Sequence, residues 1–309
     1  MRRGRAPLAV VVAAASLALA GCGLLDASAP TAVQVLVTRD FGSQVLHRSG
    51  SLKATGGETV MSLLRGNADV AAVSGGHIVE SIDGASGGEE GGEPLDWFYY
   101  VNGVEAPRGA GATEVRPGDH VWWDLHDWSQ AAKVPAVVGS FPEPFLNGYE
   151  GKRLPVRIEC APSAAYACAT VTARLRSLGV PAAAAAIGSG GAPETLRLMV
   201  GRWDQLEAEL ARSLQRGPRS SGVYARFSAS GSAIAVLDPN GNVVQTLTGA
   251  GLIAATRQAE EAPVWVVTGT DGTGLDAAAR AFDRATLEDH FAVAIAPGGA
   301  AVALPAPDR

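Results

Sequence analysis

The chain has 309 residues, a formal net charge of −6, and 47% hydrophobic against 18% charged residues. That length suffices for two ordinary domains, each with its own core. The acidic balance excludes the phosphate-neutralising mode of nucleic-acid binding, and beyond the first twenty residues no apolar run is long enough to span a bilayer.

Residues 1–21 read as a signal peptide. Arg2, Arg3 and Arg5 form a basic start, and residues 8–19 are an apolar stretch of a length suited to export rather than to spanning. Leu19-Ala20-Gly21-Cys22 then resembles a bacterial lipoprotein signal, in which cleavage precedes the cysteine and Cys22 is acylated. Buried lipid contributes about 0.8 kcal/mol per methylene, so a multiply acylated Cys22 holds the protein on a membrane. The expected location is the cell membrane, lipid-anchored and facing the extracellular side, with residues 22–30 as a tether. Removing residues 1–21 removes three arginines and no acidic residue, which takes the net charge from −6 to −9.

The first domain is expected over residues 31–128. Residues 31–38 and 44–47 read as strands joined by a turn at 40–43. A helix of about ten residues follows Glu58, with Val60, Leu63 and Leu64 on one side. Residues 70–73 and 77–82 are short strands, Ile78, Glu80 and Ile82 sharing a face, and the glycine content of residues 84–92 excludes a packed element. Residues 97–101, Trp-Phe-Tyr-Tyr-Val, are an aromatic strand closed by the hairpin pair Asn102-Gly103, and Pro117-Gly118-Asp119 turns the chain into a second aromatic strand at 120–125. Period two places Val121, Trp123 and Leu125 toward a core and His120, Trp122, Asp124 and His126 on the other face. That second face reads as an edge or inter-domain contact, or as a ligand platform, with a metal site of His120, Asp124 and His126 a third reading whose spacing matches no standard ligand motif.

Residues 97–103, Gly111-Ala112 and residues 117–123, together with residues 58–64 and 76–84, resemble the C-terminal β-domain family of transcobalamin and intrinsic factor, which includes many bacterial surface proteins of unknown function. The likeness covers residues 31–128. It implies a β-grasp fold, a sheet wrapped over one helix, and a corrinoid as ligand rather than as cofactor. Trp97, Tyr99, Tyr100, Asn102, His120, Trp122, Asp124 and His126 are the candidate ligand-binding residues on this reading. Transcobalamin-like proteins also enclose their ligand with a large helical barrel, which this chain lacks.

Residues 129–153 are a Pro- and Gly-rich connection whose Phe141, Phe145 and Tyr149 predict packing on one or both domains. Residues 154–305 alternate strands and helices and read as a partly parallel α/β sandwich. Strands are expected at 154–159, 194–200, 223–227, 233–237, 243–247, 263–268, 291–295 and 301–304, and helices at 163–178, 204–214, 252–258 and 275–284. Cys160 and Cys168 are an even pair in an oxidising compartment, which favours a disulfide over two free thiols. Residues 269–274 are a glycine-rich turn without the lysine of a phosphate loop, and neither a nucleophile elbow nor a Ser/His/Asp or paired-carboxylate constellation is present.

The fold class is therefore α+β, an N-terminal β-grasp domain followed by an α/β sandwich domain. The expected function is non-catalytic: a surface lipoprotein that binds a small ligand, a corrinoid by resemblance, or a module that docks a transporter component or another envelope partner.

Overall fold

The computed structural model describes residues 1, 31–54, 56–73, 78–189, 192–258 and 261–307. The signal segment, Cys22, the tether and His77 lie outside the described residues.

The N-terminal part is built on a six-stranded sheet. Its strands are β1 (Val33–Arg39), β2 (Gln44–Leu52), β6 (Gly88–Glu90), β7 (Glu93–Val101), β8 (Val104–Glu105) and β9 (His120–Asp127). The order is β2-β1-β9-β7-β6, with β8 on β7; β1 and β9 run parallel and the other pairs antiparallel. Helix α1 (Val60–Arg65) is capped by Thr59, whose hydroxyl accepts from the Ser62 amide at 3.1 Å while the Ser62 hydroxyl accepts from the Thr59 amide at 2.8 Å. It packs Val60, Leu63 and Leu64 against Val35, Val37, Tyr99, Val121 and Trp123 of the sheet. A small second sheet of β3 (Val70–Val73), β4 (Ile78–Ile82) and β5 (Ala85–Ser86) adds Val79 and Ile82 to that core. This is the α+β, β-grasp arrangement of one helix under a mixed sheet.

Two local expectations are corrected here. The glycine-rich residues 84–92 hold β5 and β6, because backbone pairing to Ser81 and to residues 93–95 needs no side chain. In β4, Val79 and Ile82 point inward and Ile78 is exposed, since a bulge opposite Ala71 and Ala72 breaks the simple alternation.

The C-terminal part is built on a seven-stranded sheet. Its elements in chain order are β10 (Val156–Cys160), α2 (Ala165–Ser177), β11 (Ala182–Ala186), β12 (Leu196–Val200), α3 (Ala208–Gln215), α4 (Pro218–Ser221), β13 (Ala225–Phe227), β14 (Ile234–Leu237), β15 (Val243–Leu247), β16 (Gly251–Thr256), β17 (Val264–Gly269), α5 (Gly272–Arg280), α6 (Arg284–Leu287), β18 (Ala292–Ile295) and β19 (Ala301–Leu304). The main sheet runs β11-β10-β12-β17-β16-β18-β19 and is parallel through its first four strands; β13-β14-β15 form a separate antiparallel sheet. Residues 252–258, expected as a helix, form most of β16, which lies between β17 and β18 with all six residues buried. A continuous apolar run buried on both faces has no period-two signature to separate it from a buried helix. The helix expected at 204–214 begins later, at Ala208, after a 3-10 turn at Trp203–Gln205. The helix expected from 275 begins at Gly272, where the Asp271 carboxylate accepts from the Gly274 amide at 2.8 Å. Strand β11, five alanines, has no counterpart among the expected elements.

Cys160 and Cys168 form a disulfide that ties the end of β10 to α2, with their Cα atoms 5.9 Å apart. Helices α2 and α5, with Phe141 and Phe145 of the connection, cover one face of the main sheet. The other face shares a single core with the outer face of the first sheet: Leu36, Tyr100 and Trp122 join Met199, Tyr224, Leu252 and Phe291. The connection belongs to both cores, Val134 and Val137 on one side and Val138, Phe141 and Phe145 on the other. Among the described residues no helix is long and apolar enough to cross a membrane.

Candidate functional site

The alternation in β9 sorts its side chains as the sequence indicates, and the second face packs against the C-terminal part of the chain. Asp124 is fully buried and accepts from the amides of Phe41 at 3.0 Å and Gly42 at 2.8 Å, from His126 Nδ1 at 2.8 Å, and from the Thr38 hydroxyl. Trp122 Nε1 donates to Thr38 Oγ1 at 2.7 Å. The His126 imidazole is stacked between Phe98, at 4.4 Å, and Phe41, at 4.5 Å. Phe291, just before β18 of the seven-stranded sheet, meets Trp122 at 5.2 Å, His126 at 5.4 Å and Tyr100 at 5.6 Å in edge-on geometry. The approach is close enough that a Cβ at Gly42 would collide with the Asp289 carbonyl. These rings therefore present no open surface to a flat ligand.

The other candidate residues go elsewhere. Trp97 and Tyr99 lie on the opposite face of the first sheet, in the core over α1, where Tyr99 stacks on Trp123 at 4.8 Å. Adjacent positions of one strand face opposite ways, so Trp97 and Tyr99 cannot share a surface with Tyr100 and Trp122. Asn102 sits in the left-handed turn after β7 with φ 56°. Its amide donates to Asp119 Oδ1 at 2.8 Å and to the Gly148 carbonyl at 2.7 Å, and its Oδ1 accepts from the His120 amide at 2.8 Å. His120 Nδ1 lies 2.8 Å from Ser140 Oγ, and burial pushes its pKa down from 6.5 to about 4. The metal reading fails on the same geometry: among the described residues no group of three or more His, Cys, Asp or Glu side chains is arranged to hold an ion.

A cavity of about 230 Å³ lies where the segment after the Asn102-Gly103 turn meets the connection. Its walls carry Glu105 of β8, Arg108, Glu114, Arg116 and Asp119 from the excursion between β8 and β9, and Tyr149 from the connection. Asn102 closes the structure behind it by holding residues 119 and 148 together. Glu105 Oε2 is buried without a protein hydrogen-bond partner among the described residues. Burial lifts the Glu105 carboxyl from 4.5 to about 7, against the opposing pull of Lys133 and Arg257. Burial also raises Asp119, which accepts from the Arg116 amide at 2.8 Å and from Asn102. The Arg116 guanidinium lies over Gly151, where a Cβ would collide with it, and comes within 3.9 Å of Glu114. Glu150 pairs with Arg257 at 3.2 Å. Arg108 has no ion-pair partner among the described residues, although its carbonyl accepts from the Tyr99 hydroxyl. Of these charged residues sequence reasoning named only Asp119, and that as part of a turn. The available signal was a carboxylate, Glu105, directly after a hairpin turn, followed by two arginines in a short excursion between aromatic strands.

A family model described as a domain of unknown function (DUF4430) matches residues 57–127. No curated protein matches. Among solved structures, the chain is similar to "a putative metal binding protein from Ruminococcus gnavus ATCC 29149", at 17% identity and a TM-score of 0.25, over 31% of this chain and 97% of that one.

Proposed function

We propose that the protein is an exported, lipid-anchored, non-catalytic binding protein, and that the cavity between the β8–β9 excursion and the connection is its ligand site. The observation that carries this reading is the buried, unpartnered Glu105 oxygen in a cavity whose rim holds arginines. A carboxylate oxygen left without a donor costs about 1–3 kcal/mol, a cost that a ligand donor offsets. At about 230 Å³ the cavity is smaller than the pockets that enclose drug-sized molecules, which suits a small polar ligand and not a corrinoid. The corrinoid implied by resemblance would need an open aromatic face, and Phe41 and Phe291 occupy the one on β9. The Leu19–Cys22 motif supports anchoring, and a binder held at the membrane implies a transporter component as the partner that receives its ligand.

A thermal-shift screen of small polar metabolites, with cobinamide included, tests the reading. The protein is compared with an Ala112→Trp variant, which adds bulk to the cavity lining. The expected result is stabilisation by about 2 °C or more from at least one small polar compound, lost in the variant, and none from cobinamide. Equal shifts in both proteins, or no shift from any compound, would sink the cavity as the ligand site.

A further inference from the structure

The charges around the cavity divide into those already satisfied and those left over. Asp119 is held by the Arg116 amide and Asn102, Glu150 by Arg257, and Arg116 lies beside Glu114 and over Gly151. Among the described residues two groups are left without an ion-pair partner, one of each sign: the half-buried Glu105, whose Oε2 is buried with no hydrogen bond and on which Lys133 and Arg257 act through charge without pairing, and the Arg108 guanidinium. They stand three residues apart on one segment of the lining. Lone cationic ligands would leave Arg108 unused, and lone anions would meet an unpaired carboxylate in a confined space, which like-charge repulsion disfavours. We infer that the ligand of this cavity is a zwitterion of amino-acid size, its ammonium donating to Glu105 and its carboxylate held by Arg108.

The pairing has a chemical logic at each end. An ammonium supplies donors to a carboxylate whose Oε2 has none among the described residues, and a charge-assisted bond of this kind is roughly twice as strong as a neutral one. A guanidinium presents parallel N–H groups that match a carboxylate in two-point geometry. Rim exposure keeps Arg108 solvated until the ligand arrives, so its contribution is one of orientation and selection, while the buried Glu105 Oε2 discriminates against ligands lacking a donor.

The inference rests on the cavity being the ligand site, and its test separates the two. Isothermal titration of the mature protein uses glycine, β-alanine, 4-aminobutanoate and 6-aminohexanoate as zwitterions. Acetate, butyrate, ethylamine and butylamine are the single-charge counterparts. The expected result is that at least one zwitterion binds about tenfold or more tighter than its acid and its amine. Glu105→Gln and Arg108→Gln should each weaken that zwitterion about tenfold or more, while Glu209→Gln on the exposed side of α3 leaves it unchanged. Thermal melts of each variant guard against misreading an unfolded protein as a non-binder. A single-charge compound that binds as tightly as the zwitterion, or wild-type affinity in Glu105→Gln, overturns the inference. If all eight probes are silent while a screened metabolite still loses its effect in Ala112→Trp, the zwitterion class falls and the cavity stands. Silence in both experiments removes both.

Discussion

Replacing Glu105 by Gln should stabilise the protein, and only at neutral and alkaline pH. Burial raises the folded carboxyl to about 7, against 4.5 for the ordinary group. The folded state therefore holds its proton where the unfolded chain has released it, so stability falls as pH rises through this window, roughly 4.5 to 7. A tenfold change in proton affinity between the folded and unfolded chain corresponds to about 1.36 kcal/mol, and allowing for the part of the side chain that reaches water the ionised group costs about 2–3 kcal/mol. The amide carries no charge and avoids that cost. Urea unfolding followed by Trp fluorescence, at pH 4.5 and at pH 8.5, gives the difference between wild type and variant at each pH. Glu143, also raised by burial to about 7, and the buried His120 act alike in both proteins and cancel. The expected outcome is a near-zero difference at pH 4.5 that grows to about 2–3 kcal/mol in favour of the variant at pH 8.5. A difference that does not change with pH would refute the reasoning. It would mean that Glu105 finds its counter-charge within the protein, and the charge left over in the cavity would disappear with it.

His120 governs the opposite limb. Its pKa is pushed down by burial from 6.5 to about 4, so the unfolded chain binds the extra proton and stability is lost as pH falls through that interval; His120→Gln should flatten this loss, read from urea titrations between pH 4 and 7. Reducing the Cys160–Cys168 bond opens a loop closed over eight residues and should lower stability by about 2.5 kcal/mol, measured as a change in thermal midpoint with and without dithiothreitol. Phe291→Ala removes the ring on which Tyr100, Trp122 and His126 converge, and should cost about 3–4 kcal/mol and split one calorimetric transition into two. Cys22→Ser should move the expressed protein from the detergent phase to the aqueous phase in a phase-partition assay, and an unchanged partition would remove the lipid anchor from the proposal.

The strand grammar of the N-terminal part was legible because its sheet has one strongly apolar face and sharp turns. Asn102-Gly103 and Pro117-Gly118 bracket β7 and β9 at their ends, and alternation separated Trp122 from Trp123 correctly. Legibility fell where those signals vanish. Strand β16 lies deep in a sheet with both faces covered, so polarity does not alternate along it. Strand β11 is pure alanine, a residue that favours helices, and becomes a strand only because its backbone pairs with β10 beyond the α2 crossover. The short strands in residues 84–92 rest on pairing alone.

The site was harder for a different reason. Aromatic rings and histidines draw attention in a sequence, yet a chain with two sheets must bury the outer face of each, and Tyr100, Trp122 and His126 are what the first sheet offers to Phe291 and Tyr224. That burial fixes one sheet against the other and carries the connection across the end of β7. The path brings Tyr149 beside Glu105 and Arg116, residues separated by more than thirty positions and joined by no motif. Asn102 then converts the proximity into a wall, since its one amide spans Asp119 and the Gly148 carbonyl. The cavity is thus a product of the packing between the two parts rather than a property of residues 31–128. A fragment ending at residue 128 would keep Glu105 and Arg108 but lose the Tyr149 side of the enclosure, and Glu105 would return to water. On this argument the aromatic face serves ligand binding indirectly, by holding together the two parts whose junction encloses the uncommitted charges.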